Sequence, residues 1–185
     1  MRMRGETVQT VMKSILRPLR TTLALGLLAA ASVALSGCGF TPLYGQPGVV
    51  SNLAAVDVVV PEGRTGFLLR EHLDDAFARN RDAAPIYRIN LSIVENRYPR
   101  GVRIDNVATR YEYVLVASYV LNTLPSGVEA KKGSVRVELT YDSADQAYSA
   151  IAAQQDAQDR AAQEAARRIQ LELAAWLAAG GKAAS

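Results

Sequence analysis

Tyr87-Arg88-Ile89-Asn90-Leu91-Ser92-Ile93 alternates apolar and polar side chains at every step, and Val135-Arg136-Val137-Glu138-Leu139-Thr140-Tyr141-Asp142 does so again. A period of two puts one set of side chains on one face of a strand and the other set on the opposite face. Between these runs, Tyr111, Tyr113, Leu115, Ala117, Tyr119 and Leu121 occupy alternate positions of a third. The links Tyr98-Pro99-Arg100-Gly101 and Leu124-Pro125-Ser126-Gly127 carry turn chemistry. Three such strands in succession read as an antiparallel meander, covered on one face and polar on the other. The first two look about a dozen residues long, against a usual five or six, so their hairpin is expected to project beyond a small core.

Upstream, Val56-Asp57-Val58-Val59-Val60 is a β-branched run stopped by Pro61. After Thr65, a candidate N-cap, Leu69, Leu73, Ala76 and Phe77 recur at three- and four-residue steps, predicting an amphipathic helix over 66–80 with Asp75 and Arg79 as an i, i+4 pair. His72 falls within it and reads as a solvated or rim side chain. Downstream, Ala147–Ala179 sets Ala162, Ala165, Ile169, Leu173 and Trp176 on one stripe, with Asp156/Arg160 and Glu164/Arg168 as outward pairs, and stops at Gly180-Gly181. The order is β-α-β-β-β-α. The expected fold is α+β, a two-layer sandwich in which two helices cover one face of a four-stranded, mostly antiparallel sheet. Residues 56–180 form the single domain, with 181–185 a tail.

The first 37 residues differ in kind. They hold a basic segment through Arg20, an apolar run of roughly 15 residues from Thr21 to Leu35, and the small pair Ser36-Gly37. This is the pattern of a secretory signal peptide that is removed, with Met1, Met3 or Met12 as the start; the apolar run is too short to span a bilayer as a helix. Leu35-Ser36-Gly37-Cys38 matches the bacterial lipobox, which makes Cys38 the mature first residue and its thiol the acceptor of a diacylglyceryl group. Burial of acyl chains such as palmitate is worth about 0.8 kcal/mol per CH₂, so several chains on one residue anchor a domain firmly. Gly39 in place of Asp favours the outer membrane over the inner. Residues 38–55, with Phe40, Leu43 and Tyr44 among turn formers, read as a lipidated tether.

Of 21 Lys and Arg and 18 Asp and Glu, five and one lie in residues 1–37, which leaves 16 and 17 and a formal charge of −1 for the remainder. The basicity of the whole chain belongs to its leader, and bulk charge gives no support to nucleic-acid binding. Catalysis finds no footing either: the chain has one Cys, committed to lipid, and one His, too few for a multi-histidine metal centre, and no nucleophile elbow, P-loop or dinucleotide fingerprint. No cofactor is expected. What remains is basic: Arg97, Arg100, Arg103 and Arg110 surround the loop after the first meander strand, and Lys131-Lys132 lie in a later turn. Guanidinium forks suit phosphate or an acidic protein surface; scattered, solvated charge balanced by Glu95 and Asp105 is the competing reading.

The segment Gly37-Cys38-Gly39-Phe40-Thr41-Pro42-Leu43-Tyr44-Gly45 resembles the lipopolysaccharide-assembly lipoprotein family LptE in its alphaproteobacterial form, and the element order is similar to that family over essentially the whole chain after the leader. The resemblance implies a lipid-anchored protein on the periplasmic side of the outer membrane. It further implies a plug within the β-barrel of an LptD-type translocon, assisting lipopolysaccharide assembly, with Arg97, Arg100, Arg103, Lys131 and Lys132 as candidate contacts to lipopolysaccharide or partner. The alternative is an auxiliary lipoprotein of a phospholipid or efflux transporter.

Overall fold

The computed structural model describes residues 43–104, 108–143 and 146–181, which lie in one unit, Pro42–Ser185. A 3₁₀ turn at Leu43–Gly45 is followed by α1 (Val49–Ala54), β1 (Val56–Val59), α2 (Arg64–Ala76), β2 (Tyr87–Val102), β3 (Ala108–Thr123), β4 (Glu129–Asp142) and α3 (Ala147–Ala178). The sheet runs β1-β2-β3-β4. Both meander pairings are antiparallel, and β1 joins β2 in parallel, Val56 opposite Tyr87 through Val59 opposite Asn90. A parallel pair needs a crossover of about a dozen residues, which α2 provides. The sheet is thus mixed, with the expected element order and the α+β layering.

The alternation explains the layering. Ile89, Leu115, Leu121, Val137 and their same-face neighbours are buried under α2 and α3. From α2 come Leu69, Leu73 and Phe77; from α3 come Ala157, Ala161, Ala162, Ala165, Ala166, Ile169 and Leu173. The two long elements match in size: 32 residues of α3 span about 48 Å, and 16 residues of β3 about 53 Å. α3 backs the hairpin at least as far as Arg97, with Glu172 at Tyr119, Gln158 at Glu95 and Gln154 at Arg97, so this much of it does not project unsupported.

Local differences from the sequence reading have physical causes. Residues 49–54, placed in the tether, form a helix whose Val49 and Leu53 enter the core; six residues are too few for a periodicity to show. Thr65 is not the N-cap of α2. Gly63, at φ 118, holds that position, and Thr65 is buried inside the first turn. The helix ends at Ala76 because Ala78 turns the chain at φ 49, after which the Arg79 and Ala78 N–H groups return to the Asp74 and Asp75 carbonyls. Arg79 is thereby aimed at Asp57 of β1 (2.6 Å) and Asp74 (3.5 Å), rather than at Asp75, while Arg88 of β2 reaches the same Asp57 at 3.0 Å. This ion network ties β1, β2 and the end of α2 together. At the far end of α3, Gly180 at φ 87 closes the helix, with Gly180 N–H to Leu177 O and Gly181 N–H to Trp176 O, both 3.0 Å.

One glycine is required by packing. Gly133 of β4 lies opposite Tyr119 of β3, and a Cβ at 133 would stand 2.6 Å from the Tyr119 ring and hydroxyl oxygen. That ring is buried and its hydroxyl donates to Glu172 of α3 at 2.6 Å, so it has nowhere to go. Gly133→Ala is therefore expected to destabilise the domain by about 1–3 kcal/mol, the usual range for overpacking, read as a lowered urea midpoint at unchanged slope.

Candidate functional site

The basic residues singled out in the sequence do not form one patch. Arg97, on the helix-covered face of β2, donates to Gln154 of α3 at 2.6 Å, and its guanidinium lies 4.7 Å from the centre of the Tyr111 ring. Tyr111 stacks in turn on Tyr141, 5.6 Å between ring centres. Arg100 lies on the open face, hydrogen-bonded to Glu112 and 5.8 Å from the Tyr98 ring centre. Arg103 stands at the exposed end of the hairpin and has its own interactions. Arg110 donates to Asp142 at 2.8 Å. Lys131 and Lys132 pair with Leu121 and Val120, seven residues along β3 from the Tyr113 partner of Arg97. That is about 23 Å away. Lys132 has Glu129 at 3.6 Å. Cys38 lies outside the described residues, as does Asp105.

The hairpin end is the chemically richest of these places. It combines four arginines, Arg97 and Arg100 over tyrosine rings, with the carboxylates Glu112 and Asp142. Guanidinium groups held by carboxylates keep their charge: hydrogen bonding to Glu112 and Asp142 raises the pKa of Arg100 and Arg110 above the ordinary arginine value. A phosphate arriving here would exchange one carboxylate partner for another oxyanion without stripping the arginine of hydrogen bonds.

The open face of the sheet is less polar than alternation suggested. Val94, Val114, Val116 and Val120 lie on it, along the middle of the sheet. Below them Ser92, Ser118 and Ser134 align across three strands, with the Ser118 and Ser134 hydroxyls 3.0 Å apart. These small side chains floor a shallow open trough of about 610 Å³, lined also by Asn90, Val120 and Lys132. The sequence reading missed it because a period-two count of β3 records the buried face and leaves the valines between unremarked.

Other polar side chains brace the layers. His72 Nε2 lies 2.8 Å from Asp159, joining α2 to α3. Tyr113 donates to Glu95 at 2.6 Å; burial first, then this bond, holds its phenol well above the ordinary tyrosine value, and burial with Glu172 does the same for Tyr119. Among the described residues no group of three or more His, Cys, Asp or Glu could hold a metal ion, and no helix is long and apolar enough to cross a membrane.

The described residues thus form a mixed four-stranded sheet covered on one face by α2 and α3, with an arginine-bearing hairpin end and an open second face. Residues 53–173 match the LptE lipopolysaccharide-assembly family model. The chain belongs to the LptE family. It is similar to the crystal structure of a candidate lipoprotein from Caulobacter crescentus CB15, at 53% identity and a TM-score of 0.63, covering 74% of this chain and 99% of that one. The solution structure of lipoprotein B from Nitrosomonas europaea shares the fold at 16% identity and a TM-score of 0.52, covering 68% and 84% of the two chains. No curated protein matches.

One titration follows from the brace on β4. Glu164 of α3 accepts hydrogen bonds from Arg167 and Arg168, which hold its carboxyl down at about 2. Arg168 also donates to the Arg136 carbonyl on the outer edge of β4 at 3.0 Å. A folded-state value below the ordinary 4.5 means that the stabilisation is present above that value and is lost as pH falls toward about 2. The wild type should therefore melt above Glu164→Gln at neutral pH, with the gap closing over that acid window; a gap independent of pH would contradict the assignment.

Proposed function

We propose that the chain is an outer-membrane lipoprotein, anchored through Cys38 with its domain on the periplasmic side, and that it lodges in the lumen of an LptD-type β-barrel and assists the assembly of lipopolysaccharide. Its role is non-catalytic. The observation that carries this reading is the family match over 53–173; the likeness to a candidate lipoprotein of Caulobacter crescentus over nearly the whole of that chain supports the lipid anchor. The geometry is compatible in kind: a barrel lumen is polar, and the outer edge of β4 carries Lys132, Ser134, Arg136 and Glu138 on the open face.

The decisive test is purification of the tagged chain from its native outer membrane in mild detergent, with its companions identified by mass spectrometry. One large β-barrel protein in near-equal amount is expected. Inner-membrane transporter subunits instead would favour the auxiliary lipoprotein of a phospholipid or efflux transporter.

For the contact itself, Arg97, Arg100 and Arg103 at the hairpin end are proposed to meet lipopolysaccharide phosphate, with Lys131 and Lys132 a separate contact at the opposite end of the sheet. Arg100→Glu with Arg103→Glu should weaken lipopolysaccharide binding at least tenfold, on the order of the 1.5–3 kcal/mol carried by a charged hydrogen bond, while the circular dichroism spectrum and melting cooperativity persist. Unchanged binding would remove the hairpin end from the site.

A further inference from the structure

We infer, resting on the barrel reading proposed above, that the uncovered edge of β2 from the Leu91 carbonyl to Arg97 is a strand-addition site, which takes an extended segment of the β-barrel partner.

The edge is open because β1 stops early. It covers β2 from Tyr87 to Asn90, whereas β2 continues to Val102. The Tyr87 N–H bonds the Ala55 carbonyl, and a parallel ladder repeats every second residue, so the Leu91 N–H is taken by Val59, opposite Asn90. The next rung would need an N–H from residue 61, which is proline. The ladder ends there, and the Leu91 carbonyl is left outward. On the other side the Ile86 carbonyl accepts from Leu124, and pairing with β3 is regular to Pro99. Even-numbered residues of β2 therefore bond β3, and Ile93, Glu95 and Arg97 turn their N–H and C=O groups away from it. Among the described residues no backbone group of another element bonds these. Pro99 closes the far end, since it lacks the next outward N–H. Two prolines thus bound one run of alternating donors and acceptors, a template for an extended chain.

The side chains set the chemistry of the occupant. Glu95 and Arg97 are exposed on the helix side of this edge, and Val94, Asn96 and Tyr98 are exposed on the open side. Opposite charges facing each other across a ladder are favourable, so the incoming segment carries Lys or Arg beside Glu95 and Asp or Glu beside Arg97, two residues apart. The other edge of the sheet is closed to it. On β4 the Arg168 guanidinium occupies the Arg136 carbonyl, and Lys132, Arg136 and Glu138 place charge along the strand, the usual defence of an edge. Strands of a barrel wall already have both edges paired. The segment therefore comes from outside the wall, and it continues the line of β1 beyond Pro61.

The test uses the full chain in its native outer membrane, with a photo-cross-linking amino acid at Val94, Asn96 or Tyr98 of β2 and, for comparison, at Lys132, Ser134 or Arg136 of β4. Adducts from β2 should map to one short barrel segment and advance along it by two residues for every two residues of β2, whereas adducts from β4 should show no such register. The mapped segment should hold the opposite-charge pair. Glu95→Pro removes one outward N–H and leaves the β3 ladder whole, so it should lower cross-linking from position 96 about tenfold, on the order of one backbone hydrogen bond. Glu95→Ala loses the same carboxylate, keeps the N–H and should retain the adduct. If Glu95→Pro fails to fold, the register map decides alone. Adducts scattered over the barrel, a segment with like charges beside Glu95 and Arg97, or equal cross-linking in the Pro and Ala variants would overturn the inference while leaving the barrel reading in place; absence of any barrel adduct or barrel companion would overturn both.

Discussion

Everything in this domain rests on the contact between the alanine-rich side of α3 and the meander. A hairpin of 16-residue strands is far longer than a small core can usually hold flat. Ala157, Ala161, Ala162, Ala165 and Ala166 are fully buried, and side chains this small let the helix approach the sheet closely, so that Tyr113, Leu115, Tyr119 and Val137 fill the layer between. Larger residues follow further along α3, at Ile169, Leu173 and Trp176, whose ring meets Tyr87 edge-on at 5.9 Å.

The two ends of the sheet differ in how they hold charge. At the hairpin end Arg97 and Arg100 lie over tyrosine rings. At the opposite end the ion network of Asp57, Arg79, Asp74 and Arg88 locks the short parallel strand in place, and the shortness of that strand leaves the rest of β2 open. The outer edge of β4 carries the Arg168 contact to the Arg136 carbonyl.

The layering was legible because period two and period 3.6 are written in long, unbroken runs: Tyr87 to Ile93, Val135 to Asp142, and Ala147 onward. What escaped had no run to carry it. Helix α1 is six residues, and Gly63, not Thr65, begins α2 because a backbone angle rather than a side chain sets the start. The arginines were legible as a cluster in sequence, yet adjacent residues of a strand point to opposite faces, which separates Arg97 from Arg100, and strand length separates both from Lys131 and Lys132. The valines of the open face were hidden within β3 because a strand apolar on both faces looks, to an alternation count, like a strand apolar on one.

The most direct measurement of the central claim is native-state hydrogen exchange, resolved by residue. If the alanine seam holds the long sheet, amides of Leu115, Ala117 and Tyr119 and those of α3 from Ala161 to Leu173 should exchange together, only through global unfolding and with one common free energy, because strand and helix cannot open separately. Exchange of those β3 amides through local openings, while α3 stays protected, would show that the sheet stands apart from the helix and would contradict the account.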